Sequence, residues 1–242
     1  MQLAMKKAAL LMIVTSFSLA AFAQKDSSGN RQGFHYTPPG ARYHPAHGVY
    51  VAGGSDGTIL SFASVKDHGG RVRNLPRFSL ILNIGSTVNY DFSNNAGFFS
   101  GLNLKNIGFT TRQDSLKMKR RVYTLGIPIG LKFGNFNDDF FFYFGAQYEL
   151  ALNYKEKQFI DGKKVLKFND WFSDRTPLLM PSLFAGIKMH DFNVKVQYYP
   201  DNFFNTGFKE TKGGITSTPY ENLKANMFFV SFGYSFKISK HS

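Results

Sequence analysis

The chain contains no cysteine. Disulfides and thiolate metal sites are therefore excluded, and so is a lipid anchor on a processed N-terminal cysteine. Tryptophan is nearly absent, Trp171 being the single example. Beyond residue 23 no run approaches the roughly 18–20 apolar residues that a membrane-spanning helix needs. Acid is scarce: 16 Asp and Glu stand against 29 Lys and Arg, a formal net charge of +13. What is abundant is aromatic surface, with 27 Phe and 12 Tyr among 242 residues. Low mean hydropathy combined with so many rings fits strands that show an apolar face to lipid and a polar face inward.

The first residues fall into three zones. Lys6 and Lys7 carry charge, Ala8 to Leu19 are largely apolar, and Ala21-Phe22-Ala23 forms an A-x-A site ahead of Gln24. This is the plan of a secretory signal peptide cleaved after Ala23. Residues 24–47 are polar, contain Pro38-Pro39 and Pro45, and show no periodicity. They read as a flexible periplasmic extension. A barrel over 48–238 and a short tail over 239–242 complete the expected organisation.

Eight strands are expected at about 48–64, 77–90, 97–110, 119–134, 139–154, 178–189, 192–204 and 223–238, several with period two over unusual lengths. In 139–154 one face carries Phe140, Phe142, Phe144, Ala146, Tyr148, Leu150, Leu152 and Tyr154. In 119–134 it carries Tyr123, Leu125, Ile127, Ile129, Leu131 and Phe133, and in the last segment Phe228, Val230, Phe232, Tyr234 and Phe236. Such lengths exceed globular strands and suit a tilted bilayer span. The connections alternate long (65–76, 111–118, 155–177, 205–222) and short (91–96, 135–138, 190–191), as in an up-and-down barrel with both termini in the periplasm. The long loops and their flanks (65–77, 111–121, 155–177, 205–224) hold 18 Lys and Arg against 8 Asp and Glu. The short turns carry Asp91, Asp138, Asp139 and Asp191 at or beside them and no Lys or Arg. One rim is basic and the other mildly acidic. The expected fold is thus all-β, an eight-stranded antiparallel up-and-down transmembrane β-barrel in an outer membrane. Pro128 and Pro181 interrupt this pattern, and a bulge or bend is expected at each. The first strand, with Gly53-Gly54 and Asp56-Gly57, is the least regular and could be broken by a turn.

The segment Leu125-Gly126-Ile127-Pro128-Ile129-Gly130-Leu131-Lys132 is similar to the IPL-x-LK strand of the PorT-like outer-membrane β-barrel proteins. Phe144-Gly145-Ala146 and the closing Phe232-Gly233-Tyr234-Ser235-Phe236 extend the resemblance over roughly residues 77 to 238. It implies an eight-stranded barrel but no shared activity, since a fold does not fix a function. Some members act in secretion machinery. The chain departs from the usual barrel ending by continuing past Phe236 with Lys237 to Ser242.

Candidate site residues follow from the strand phases. Arg71, Arg73, Arg77, Lys117, Lys119, Arg120 and Arg121 form the basic rim, suited to lipopolysaccharide phosphates or to generic attraction by anionic lipid. Lys105, Lys132, Lys188 and Lys195 face the lumen with Glu149 as main counterpart, a polar plug in a barrel just wide enough for side chains. Trp171, beside Phe172, is an interface anchor or, with the 155–177 loop, a contact for a protein partner. His35, His44 and His47 match no strong metal motif, and Asp161, Asp170 and Asp174 lack a histidine. His68 beside Asp67 lacks a nucleophile. No cofactor, metal, catalytic set or nucleic-acid partner is expected. The leading function is a structural or interaction component of the envelope. The alternatives are a narrow pore or transport-related barrel, including a secretion accessory, and a soluble periplasmic lipocalin-like binder.

Overall fold

The computed structural model describes residues 35–36, 48–76 and 82–239. The signal peptide, nearly all of the 24–47 extension, Arg77, His44 and His47 lie outside them. In chain order the strands are β1 (His35–Tyr36), β2 (Gly48–Asp67), β3 (Gly70–Val72), β4 (Asn74–Leu75), β5 (Leu82–Asp91), β6 (Ala96–Gln113) and β7 (Leu116–Asn135). There follow β8 (Phe140–Ile160), β9 (Lys163–Trp171), β10 (Leu179–Met189), β11 (Phe192–Tyr199), β12 (Glu210–Lys212), β13 (Ile215–Ser217) and β14 (Leu223–Ser239).

Eight of these close a ring. The order is β2-β5-β6-β7-β8-β10-β11-β14, and β14 pairs back onto β2 from Leu223↔Asp67 to Ile238↔Val51. Every step is antiparallel. The ring is a closed up-and-down β-barrel. The smaller strands are additions to it. β9 folds back on β8, β3 and β4 form a strap that returns along β2 and crosses to β6, and β12 pairs with β13. The strand β1 lies against the end of β14.

The outward faces make an apolar belt. Phe142 is 56% exposed and Tyr148 61%, in company with Ile129, Leu131, Phe144, Leu183, Val196 and Phe232. A water-soluble barrel buries such residues; here they lie outside and the polar residues inside, which is the arrangement of a transmembrane barrel. Along β8 the belt runs from Phe140 to Leu152. At ~3.3 Å per residue and a tilt of roughly 40°, that stretch stands about 30 Å tall, near the hydrocarbon thickness.

Several expectations need correction. Neither proline makes a bulge. Pro128 holds register with Gln147, and only the facing β6 ladder lapses, between Ser100↔Ile129 and Asn103↔Gly126. Pro181 lies before the β10–β11 ladder begins at Leu183, so no bond is lost on that side. The bulges fall elsewhere: in the ring at residue 59 of β2 and at Leu152 of β8, where the partner register skips one residue, and outside the ring at Val165 of β9. The second has a large consequence, since one extra residue moves all later side chains to the opposite face. Tyr154, placed with the outward residues by parity, therefore points inward and is buried. The first strand is continuous, and β11 stops at Tyr199, where Pro200 ends the ladder. The segments 111–118 and 155–177 are largely strand rather than loop. β6 and β7 run out to a turn at Asp114-Ser115, and β8 and β9 meet at Asp161-Gly162. Both residues of that last turn have positive φ (48° and 81°), the geometry that favours Asp-Gly in two-residue hairpins.

Candidate functional site: a plugged lumen beneath a basic rim

The interior has two unlike halves. At the end with the short turns, lysines project inward and each meets its own carboxylate. Lys132 Nζ lies 2.6 Å from Asp91 Oδ1 and Lys188 Nζ 3.1 Å from Asp139 Oδ2. Lys195 pairs with Asp56, which also accepts from Asn83 (2.9 Å) and Asn193 (3.2 Å). Between these pairs lies a cavity of about 170 Å³, lined by Asp56, Asn103, Lys132, Tyr143, Gln147 and Lys195 among others. Rings fill the rest: Phe99, Tyr143 and Phe184 meet at 6.0–6.3 Å. Inward glycines make room for them, since a Cβ on Gly130 would come within 2.5 Å of Phe99 and one on Gly186 within 2.4 Å of Tyr143.

At the waist sits Glu149, fully buried. Its carboxylate accepts from Thr124 Oγ1 (2.6 Å), Tyr199 OH (2.6 Å), Gln147 Nε2 (2.8 Å), Lys105 Nζ (3.2 Å) and Gln197 Nε2 (3.2 Å). These five donors come from four strands of the ring, β6, β7, β8 and β11. A buried carboxylate is tolerable only when paired and multiply hydrogen-bonded, as this one is.

Above the waist the lumen turns apolar. After β11 the chain dips inward, and Phe203 and Phe204 pack edge-on against Phe109 at 5.1 and 5.9 Å. Phe204 stacks on Tyr220 at 4.8 Å, while Tyr154, Tyr199, Met227 and Phe229 complete a buried cluster. Arg175 latches the lid by donating to Tyr220 OH (3.0 Å) and to Glu210. Partial burial disfavours its charge, but those bonds hold its pKa above the ordinary guanidinium value.

The rim residues separate. Arg120 points inward and is only 6% exposed; it donates to Glu156 at 3.2 Å and lies over the Phe204 ring. It therefore does not belong to the outward basic set. Arg71 and Arg73 are exposed, and Lys117, Lys119 and Arg121 are partly exposed on the alternate face of β7. Their cross-strand neighbours were missed: Lys119 faces Lys157, which faces Lys167, and Arg121 faces Lys155. On the far side of the ring Arg71 faces Lys66, which faces Lys224. Trp171 is 61% exposed on β9, opposite Asn153 and one step above Leu152.

Asp56, Asp91 and Asp139 were also missed as lumen partners. The last two had been counted as turn acidity, yet both point at lysines. Asp56 lies on the inward face of β2 opposite Asn83, and the bulge at residue 59 puts it out of phase with the outward Phe62. His68 Nδ1 meets Asp67 at 3.0 Å and its Nε2 meets Asn222 at 3.3 Å, both contacts exposed. Among the described residues no three His, Cys, Asp or Glu converge as metal ligands.

No protein-family model and no curated protein matches the chain. Among solved structures it is similar to Ail of Yersinia pestis (14% identity, 77% of this chain and 99% of that one, TM-score 0.34). It is also similar to Neisserial surface protein A (11%, 78% and 99%, TM-score 0.37) and to OprG of Pseudomonas aeruginosa (15%, 78% and 96%, TM-score 0.31). Likenesses this loose carry no role, and the fold rests on the closed ring of strand pairings.

Proposed function

We propose that the protein is an outer-membrane interaction component of the cell envelope, a plugged barrel that offers a basic rim to the phosphates of lipopolysaccharide. The short turns then lie in the periplasm and the long hairpins outside. The rows of like charge carry this reading. Lys119-Lys157-Lys167 on one side and Arg71-Lys66-Lys224 on the other place cations directly opposite one another, just above the apolar belt. Like charges so placed destabilise a sheet unless anions lie between them. Two such rows on separate parts of the ring, both at the edge of the hydrocarbon, match a layer of phosphates. Trp171 suits the same boundary, where amphipathic rings are favoured, and leaves partner contact to the hairpin beyond it.

The test is retention of lipopolysaccharide by the purified full chain, compared with lipopolysaccharide stripped of phosphate. Phosphate-dependent binding that weakens in K119Q/K157Q/K167Q supports the proposal. Equal binding of both forms rejects it. A conducting role fits less well, because an aromatic cluster fills the outer half of the lumen.

A further inference from the structure

On the outer wall, across β2, β14 and β11 and bordered by the β3–β4 strap, lies a groove of about 720 Å³. Its lower part is apolar. Phe62 faces Phe228, which faces Tyr198, and all three rings are exposed. Its upper part is cationic, with Arg71 and Arg73 on the strap. Between them the strap contributes Asn74, whose Nδ2 donates to Ala63 O while its buried Oδ1 has no partner among the described residues.

We propose that this groove seats one phosphorylated glycolipid of the outer leaflet. An acyl chain lies along Phe62, Phe228 and Tyr198. Its phosphate sits between Arg71 and Arg73, whose planar forks match phosphate oxygens. A sugar hydroxyl of the head group donates to Asn74 Oδ1. The flat belt elsewhere can only be wetted by acyl chains; here a concavity combines an aromatic floor, two lining arginines and an unpartnered acceptor at the height where such a lipid changes from chain to head. The assignment rests on the reading that the barrel lies in an outer membrane with its hairpins outside, and it adds one defined stoichiometric site to the diffuse basic rim.

The experiment is native mass spectrometry of the full chain in detergent with three added probes: lipid A, enzymatically dephosphorylated lipid A, and phosphatidylglycerol. The expected result is retention of one equivalent of lipid A, weaker retention of the dephosphorylated form and none of phosphatidylglycerol. R71Q/R73Q should weaken lipid A by at least about 10-fold, since each charge-assisted bond is worth roughly 1.5–3 kcal/mol. R71K/R73K should restore part of that loss, and the boiling-dependent gel shift of each variant verifies a folded barrel. K209Q, at an exposed lysine outside both the groove and the rim rows, should keep the single equivalent. If R71Q/R73Q binds as the parent does, or phosphatidylglycerol is held equally well, the groove is not a glycolipid site. Loss in K119Q/K157Q/K167Q alone would overturn the groove and leave the rim standing. Absence of any binding to the parent chain would reject both.

Discussion

The two halves of the lumen are closed by different physics. Below Glu149 the barrel holds Lys132, Lys188 and Lys195, each matched to one aspartate around a small cavity. Above it Phe109, Phe203, Phe204 and Tyr220 pack into one buried cluster, with Arg120 over the Phe204 ring and Arg175 bound to Tyr220 OH. The aromatic half is completed by a segment that turns inward after β11 onto rings of the wall, whereas the charged half is built wholly from the wall. Removing a ring from the outer half should open a door, and removing a charge from the waist should weaken the wall.

The largest effect is expected at the waist. Glu149→Ala leaves Lys105 without its carboxylate and takes the acceptor from the Thr124 and Tyr199 hydroxyls, and breaking such a buried pair costs about 3–5 kcal/mol. The urea midpoint of the refolded barrel should fall accordingly. The paired change Lys105→Met with Glu149→Leu should recover most of that loss, because no buried charge is left alone. A single-mutant cost no larger than the double would show that the waist network is not what holds these strands.

Next comes the outer half. Phe203→Ala should cost less than the ~3–5 kcal/mol typical of a buried Phe, since the 200–222 segment can release locally instead of enclosing a void. Protease nicking within 200–222 should rise while the gel shift on boiling persists. Global unfolding together with nicking would mean that the segment is part of the wall's stability. A smaller effect is expected for Lys195→Met, about 1–3 kcal/mol, because Asp56 keeps bonds from Asn83 and Asn193 and borders the cavity. If that substitution proved as costly as Glu149→Ala, the cavity would have to be dry. The smallest is the salt response of the rim: lipopolysaccharide binding should weaken as ionic strength rises from 0.05 to about 0.5 M, because exposed charges are screened within a Debye length.

The fold was legible where lipid writes on the sequence. Within the belt every second residue must be apolar, so Ile127, Ile129, Leu131 and Phe133 announce β7 and Phe140 to Leu150 announce β8. Past the belt the outward positions become Lys and Arg, the apolar signal ends, and β8 and β9 read as loop although the backbone pairing continues to Ile160↔Lys163. The bulge at Leu152 left no mark of its own, which is why Tyr154 was assigned to the wrong side. Prolines misled in the opposite sense, since a ladder can lapse at Pro128 without losing register. Of the site, the inward lysines followed from parity. Their aspartate partners did not, because Asp91 and Asp139 sit beside turns, where acids ordinarily face water. Arg120 went wrong by adjacency: in the run Lys119-Arg120-Arg121 the middle residue points inward.

Conductance tests the central claim most directly: that a transmembrane barrel has its lumen closed by the inturned Phe203-Phe204 segment. The full chain, verified as folded by its boiling-dependent gel shift and as inserted by protease protection in vesicles, would be placed in a planar bilayer. The account predicts a silent bilayer for the parent chain and discrete current steps for F203A/F204A. Stable ohmic steps from the parent chain would contradict it.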